Sequence, residues 1–272
     1  MSSTVTPGVT SPFARTVAGS GPGLALAHGA GGGVAANFGP ILDGLAARHT
    51  VVAVDYPGTG ATPRSAAPLE LDDLADQLVA AAVDEGLETF AVAGYSLGGA
   101  VAVRAAARHP ERVSALVLTA AFARPDNRFR LSARLWAGLL DGPDPALLGS
   151  FLSLAALSPA ALESLGEQEL RAATEGPAVP PGTAEHVDLV LNRADVRADL
   201  PAVTVPVLAV VTTGDQLVSP ALQYELAAAL PNARVAELDT GHLPFAERPR
   251  EWQDLITGFL AEVGERSSAP AL

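Results

Sequence analysis

The sequence predicts an α/β fold: a mostly parallel sheet with helices on both faces and a helical lid inserted between two of its strands. Short β-rich apolar runs alternate with longer Ala/Leu-rich amphipathic runs, the rhythm of repeated strand and helix units. The rhythm breaks once, from Phe122 to about Leu200, where only helix-like segments punctuated by Pro and Gly occur. It then resumes with PVLAVVTT at 206–213, so the break is an insertion into one continuing core.

Seven runs read as strands. An edge strand is expected near FARTVA (13–18), followed by LALAH (24–28), TVVAVD (50–55), TFAVAGY (89–95), VSALVLT (113–119), PVLAVVTT (206–213) and ARVAELD (233–239). Helices are expected at about 38–48, 69–85, 97–109, 220–230 and 249–263, several with Pro or Asp near their starts. Within the insertion, LSARLWAGLL, PALLGSFLSLAAL and SPAALESLGEQELRAA read as short helices. The expected organisation is a flexible N-terminus (1–12), a core of 13–121 and 201–263, a lid at 122–200 and a flexible C-terminus (264–272).

Composition narrows the partners. The chain has 272 residues, 49% of them hydrophobic, ample for a sizeable core. A formal net charge of -13 argues against nucleic acid and anionic membrane surfaces and favours a small-molecule substrate. There is no cysteine, which excludes disulfides, thiolate metal sites and a Cys nucleophile and fits a cytoplasmic setting. There is also no lysine, which eliminates Schiff-base chemistry, a pyridoxal-phosphate lysine and a Walker lysine. No secretory signal pattern opens the chain, and no apolar run approaches the roughly 20 residues of a membrane span. Neither HxH nor HExxH occurs, and Asp72 with Asp73 reads as a solvated helix face, so no metal and no cofactor are expected. A homo-oligomer is compatible with all of this.

The chemistry centres on AVAGYSLGGAVAV, 91–103. Strand, sharp turn and helix follow one another here, and glycines on either side let the turn push Ser96 out at the carboxyl end of the strand. A serine needs a base. Among five histidines, His242 in DTGHLPFAERP falls on a loop at the same sheet edge. His109 reads as a helix-end cation, His49 begins a strand at the opposite edge and His186 lies in the lid. The base in turn needs a carboxylate. Asp215 in TTGDQ lands on the same edge, with Asp126 second and Asp239 a competitor too close to His242 in sequence. The glycine run LALAHGAGGG lets backbone N–H groups approach a ligand. The expected oxyanion donors are the N–H groups of Ala30 and Leu97, with His28 shaping the loop.

These residues resemble the α/β-hydrolase fold superfamily in its single-domain branch with a lid. The matching features, in the family's order, are HGAGGG, DYPGTGAT, GYSLGG, the GD of TTGD, and GHLPFAERP, spanning about residues 13–263. The resemblance implies Ser96 as nucleophile, His242 as base and acid, Asp215 as its orienter, and Ala30 with Leu97 as oxyanion donors. It also implies an eight-stranded, mostly parallel sheet with one antiparallel strand near the start. Haloalkane dehalogenases and epoxide hydrolases place Asp where Ser96 stands. GYSLGG is similar to the nucleophile turn of enol-lactonases, cofactor-free haloperoxidases and a lyase of menaquinone biosynthesis. In that lyase an arginine typically follows the double glycine, where this chain has Ala100 and reaches Arg104 only one turn later.

The expected reaction is therefore hydrolysis of an ester, lactone or thioester of a small, largely apolar molecule through an acyl-enzyme. Elimination, cyclisation or C–C cleavage with the same triad is the alternative, and ligand binding with little turnover is the second. Expected substrate contacts are His28, Gly29, Tyr95, Phe122 and Trp136, with Phe129, Leu135, Phe151 and Leu152 as further lid candidates. Arg124, Arg128, Arg130 and Arg134 gather positive charge at the start of the lid, where they offer recognition of a substrate carboxylate or a solvated helix face.

Overall fold

A computed structural model describes residues 11–175 and 179–268. The core elements in chain order are β1 (Arg15–Ala18), β2 (Gly23–Ala27), α1 (Val34–Asn37), α2 (Gly39–Ala46), β3 (Thr50–Val54), α3 (Leu71–Asp84), β4 (Phe90–Tyr95), α4 (Leu97–Arg108) and β5 (Val113–Thr119). Five helices follow: α5 (Asn127–Leu140), α6 (Pro145–Ala156), α7 (Pro159–Ser164), α8 (Glu167–Glu175) and α9 (Thr183–Asn192). The core then resumes with β6 (Val207–Thr212), α10 (Pro220–Ala229), β7 (Ala233–Leu238), α11 (Pro244–Glu247) and α12 (Pro249–Ser268).

The sheet runs β1-β3-β2-β4-β5-β6-β7, with β1 antiparallel to β3 and every other pair parallel. Parallel registers align the strand ends, pairing Val54 and Gly94 with Ala27, Thr119 with Tyr95 and Leu238 with Thr212. The loops that follow these strands therefore meet at one edge, where sheets of this kind place their ligands.

Central strands of Val, Leu and Ala are buried on both faces, as β4 shows along its whole length. One face packs against α3, α4 and α10, with Leu74, Leu78, Val101 and Leu222 among its buried contacts. The other packs against α2 and α12, where Trp252 stacks on Phe38 at 5.5 Å and its indole N–H donates to Thr119 Oγ1 at 2.9 Å. The edge strands differ: β1 and β7 leave Val17 and Val235 exposed, while Arg15 pairs with Asp84 and Glu85 across the β1 edge.

Local capping explains the inserted helices. Asp126 accepts from Phe129 N, Asp144 from Ala146 N and Ser158 from Ala161 N, while Pro145 and Pro159 open α6 and α7, satisfying N–H groups that a helix start leaves without partners.

Two expectations need correction. The eight strands that the resemblance implied are seven among the described residues, because FARTVA supplies the single segment ahead of LALAH and pairs at the β3 edge. The C-terminal stretch expected to be flexible from 264 is helical through Ser268, since α12 continues past Phe259 and Leu260, which are buried against the sheet. Residues 1–10, most of the expected flexible N-terminus, and 269–272, the last part of the expected flexible C-terminus, lie outside the described residues.

Candidate active site

Ser96 joins β4 to α4 with φ 54° and ψ -118°, a conformation that costs a non-glycine residue about 1–3 kcal/mol and must be held by its surroundings. The hold comes from both sides. Ser96 N–H donates to Thr119 O at 2.9 Å. Two residues on, a Cβ at Gly98 would run into the Ala27 carbonyl, so glycine alone lets α4 lie this close to the end of β2.

His242 stands on the loop between β7 and α11. Its Nε2 lies 3.0 Å from Ser96 Oγ and its Nδ1 lies 2.7 Å from Asp215 Oδ2. A carboxylate only accepts, so Nδ1 carries the proton and Nε2 is left to accept from the serine hydroxyl. The His242 backbone is fixed separately: its N–H donates to Ala156 O at 2.6 Å and its carbonyl accepts from Tyr95 OH at 2.8 Å. Burial, followed by the nearby Asp215 charge, pushes the Tyr95 phenol well above its ordinary range, so it remains a donor.

Asp215 follows β6 and is 1% exposed. Its Oδ1 accepts from Leu217 N and Val218 N, both at 2.9 Å, and its Oδ2 from Thr212 Oγ1 at 3.0 Å and Gln223 Nε2 at 3.3 Å besides His242. Such a donor set compensates the desolvation of a buried carboxylate. The two rivals are engaged elsewhere: Asp126 caps α5, and Asp239 is exposed beside Arg248.

The glycine loop after β2 supplies the other wall. Gly29 N–H donates to Asn37 Oδ1 at 3.0 Å, and Gly29 O faces His28 Nδ1 at 2.8 Å. Tyr56 N–H donates to His28 Nε2 at 3.0 Å, which leaves the His28 proton on Nδ1 to bond Gly29 O. Burial holds His28 neutral, its pKa lowered to about 3. Ala30 N–H and Leu97 N–H meet no protein acceptor among the described residues. Ala30 shares the cavity lining with the serine, and Leu97 follows the serine at the first position of α4, where the helix dipole favours negative charge.

Above these groups lies a cavity of about 770 Å³. Its floor includes Ser96, His242, Tyr95 and Ala30, and its roof includes Phe129, Trp136, Leu152 and Val187 from the inserted helices. The Trp136 indole N–H is buried without an acceptor among the described residues.

Comparison with known proteins fits this geometry. Residues 24–249 match the family described as alpha/beta hydrolase fold. The chain belongs to that family. It is 32% identical over 246 residues to a pyrrolizixenacetamide deacetylase of Xenorhabdus hominickii, covering 89% of this chain and 92% of the relative. It is 33% identical over 252 residues to a pimeloyl-[acyl-carrier protein] methyl ester esterase of Chromobacterium violaceum, covering 88% and 94%. A thermophilic esterase from Thermogutta terrifontis superposes with a TM-score of 0.79 at 24% identity, covering 92% of this chain and 93% of that one, a likeness of fold alone. This α/β-hydrolase is thus an enzyme of a family whose named relatives here hydrolyse esters and related bonds.

The structure distributes the expected substrate contacts unevenly. Tyr95, Trp136, Phe129 and Leu152 line the cavity of the hydrolase. Phe122 does not: it is fully buried beneath the roof, edge-to-face with Phe129 at 5.0 Å, because the chain is still leaving the core there. His28 and Gly29 stand one layer behind the wall, occupied in holding the loop. Leu135 faces outward at 53% exposure, and Phe151 is not on the lining.

The arginines also lie off the cavity. Arg128 bonds Gln216, Arg130 bonds the Pro125 and Leu191 carbonyls, Arg124 approaches Glu225, and Arg134 is exposed. Of the other histidines, His109 pairs with Asp76 and His49 with the Leu45 carbonyl. Sequence reasoning missed Asn37, Gln223 and Glu247, whose Oε1 accepts from both Ser158 N and Gly241 N and so ties the inserted helices to the His242 loop. Nothing in their spacing marked them. It also passed over His186, whose signal was being the lid's single histidine.

Proposed function

We propose that the enzyme is a serine hydrolase that cleaves an ester, lactone or thioester of a small, largely apolar molecule. The observation that carries this reading is the continuous hydrogen-bonded line from Ser96 Oγ through His242 to Asp215 beneath a mainly apolar cavity. Ser96 Oγ attacks the substrate carbonyl carbon as its proton passes to His242 Nε2, and Asp215 stabilises the imidazolium. The oxyanion is received by Ala30 and Leu97 N–H, each worth about 3–4 kcal/mol of barrier lowering. Collapse expels the leaving group with the proton from His242. Water then gives its proton to His242 and its oxygen to the acyl carbon, and a second collapse releases the acid and restores Ser96.

The lining supports this substrate class. Among the described residues Asp55 is its one formally charged side chain, and neither Arg nor Lys is among the lining residues. A carboxylate or phosphate on the enclosed part of the substrate would be desolvated without a counterion, so neutral groups are favoured over anions. A cytoplasmic setting belongs to the same reading, supported by the absence of cysteine. Among the described residues no helix is long and apolar enough to cross a membrane.

The test is a panel of neutral and carboxylate-bearing esters, lactones, thioesters and acetamides, assayed in ¹⁸O-water with Ser96→Ala as control. The acetamides enter because one relative is named a deacetylase. Turnover of neutral members with one solvent oxygen in the acid, lost in Ser96→Ala, is expected. Product without solvent oxygen would move the reading to lyase or cyclase chemistry.

A further inference from the structure

His186 lies on α9, fully buried, between two core loops. Gly31 N–H donates to its Nδ1 at 3.2 Å, and its Nε2 lies 3.1 Å from Pro57 O. Since an N–H can only donate, Nδ1 is bare and the proton sits on Nε2, where the Pro57 carbonyl accepts it. The ring fits these two partners as a neutral imidazole, and burial lowers its pKa to about 4. Its neighbours include the His28 and Tyr56 rings, each centred 6.0 Å away, and Glu185, which pairs with Arg64.

Those contacts bear on the donor at Ala30. In the trans Gly29–Ala30 peptide the carbonyl and the N–H point in opposite directions. His28, by holding Gly29 O, therefore turns Ala30 N–H the other way. The following peptide, Ala30–Gly31, has its N–H held by His186 instead. With both flanking planes pinned, the backbone at Ala30 has one orientation.

Gly31 itself has φ +65°, and a Cβ there would lie 2.9 Å from both Trp136 and Thr183. Inserted helices thus press on the loop as well as bond to it. The start of α9 is seated on the loop after β3 through Gly182 N–H and Gly58 O at 3.0 Å.

We propose that His186 is a positioning residue for the oxyanion donor, linking the seating of α9 to the aim of Ala30 N–H. The inference rests on the reading of Ala30 as that donor. It gives the lid a part in the rate of the chemical step as well as in choosing the substrate. A residue that only filled space would leave kcat unchanged once the protein had folded.

The experiment compares full-length wild type, Ser96→Ala, His186→Leu and His186→Asn with p-nitrophenyl butyrate, folding being followed by near-UV circular dichroism. Asn can present its amide oxygen toward Gly31 in place of Nδ1. His186→Leu is expected to lower kcat about 100-fold, the scale of a misplaced reacting geometry, with KM within about 3-fold. His186→Asn is expected to recover most of that loss. Should the Leu variant not fold, His186→Ser, which also removes both contacts, is expected to show the same kcat loss. Wild-type kcat and KM in a folded Leu or Ser variant, with Ser96→Ala inactive, would overturn the proposal alone. Full activity in Ser96→Ala would overturn the serine-hydrolase reading and this inference with it.

Discussion

The carboxyl edge of the sheet and the helices inserted above it are built differently. Helix α4, which begins beside Ser96, buries nine of its twelve residues, Leu97 to Val103 with Ala105 and Ala106, whereas α7 and α8 bury none. Leu131 and Leu154 of the lid are each 66% exposed. Asp215 draws all its donors from β6, α10 and their loops in addition to His242. The lid reaches the proposed reacting groups through a few contacts: the Ala156 carbonyl on His242, Ser158 through Glu247 on the His242 loop, and His186 with Trp136 on the glycine loop. Tight packing holds the proposed catalytic edge, while the looser roof shapes the cavity and touches that edge at defined points.

Breaking the edge should have the largest effect. Replacing Ser96 or His242 with Ala is expected to lower kcat by about 10⁶-fold, with little further loss in the double variant because the pair acts as a unit. Steady-state kinetics of the three variants checks this, and additive losses would mean that the two side chains act independently.

Next comes the packing behind that edge. Trp252→Ala removes a ring that is 1% exposed, together with its bond to Thr119, and is expected to cost about 3–5 kcal/mol of stability in urea unfolding. A loss below about 1 kcal/mol would contradict the tight-edge picture.

A smaller effect sharpens the contact between the two regions. His28 and His186 are held neutral, at pKa values of about 3 and about 4 against an ordinary 6.5. A pKa lowered in the folded state means that the unfolded chain binds protons first. Stability is therefore fully present above pH 6.5 and falls as pH drops toward about 4 for His186 and about 3 for His28. The limiting slope is about 1.4 kcal/mol per pH unit for each group. Urea titrations between pH 5 and 6.5, above the ordinary carboxylate range, should show the decline, to which His49, its pKa also lowered by burial, adds, and His186→Asn should remove no more than about half of it. Flat stability across that window would show that neither ring resists protonation.

The smallest change is expected on the outer roof. Leu131→Ser should alter stability by no more than about 0.5 kcal/mol and leave kcat and KM unchanged.

The same contrast explains what was legible in the sequence. Strand runs such as TVVAVD and VSALVLT carry their burial in every letter, and motifs such as GYSLGG carry steric demands that glycine alone meets, so the edge could be assembled residue by residue. Lid helices amphipathic enough to be recognised gave no hint of which face met the cavity. Phe122 was placed one layer too far out and Leu135 on the wrong side, because burial in a lid depends on how its helices lean and not on their periodicity. Asn37 and His186 escaped for another reason: each acts on a backbone amide of the glycine loop, Asn37 by reaching back eight residues across the turn and His186 from 155 residues away, relations that no motif in the sequence marks. The eighth strand and the frayed end from 264 came from expectation about families and termini, and the pairing of β1 and the length of α12 replace them.

The central claim is that Ser96 is the nucleophile, and covalent capture tests it most directly. Full-length enzyme treated with a fluorophosphonate should gain one equivalent of phosphonyl mass, with loss of esterase activity and peptide mapping to Ser96, while Ser96→Ala remains unmodified. Full inactivation with the adduct on another residue, or undiminished ester turnover by Ser96→Ala, would contradict it.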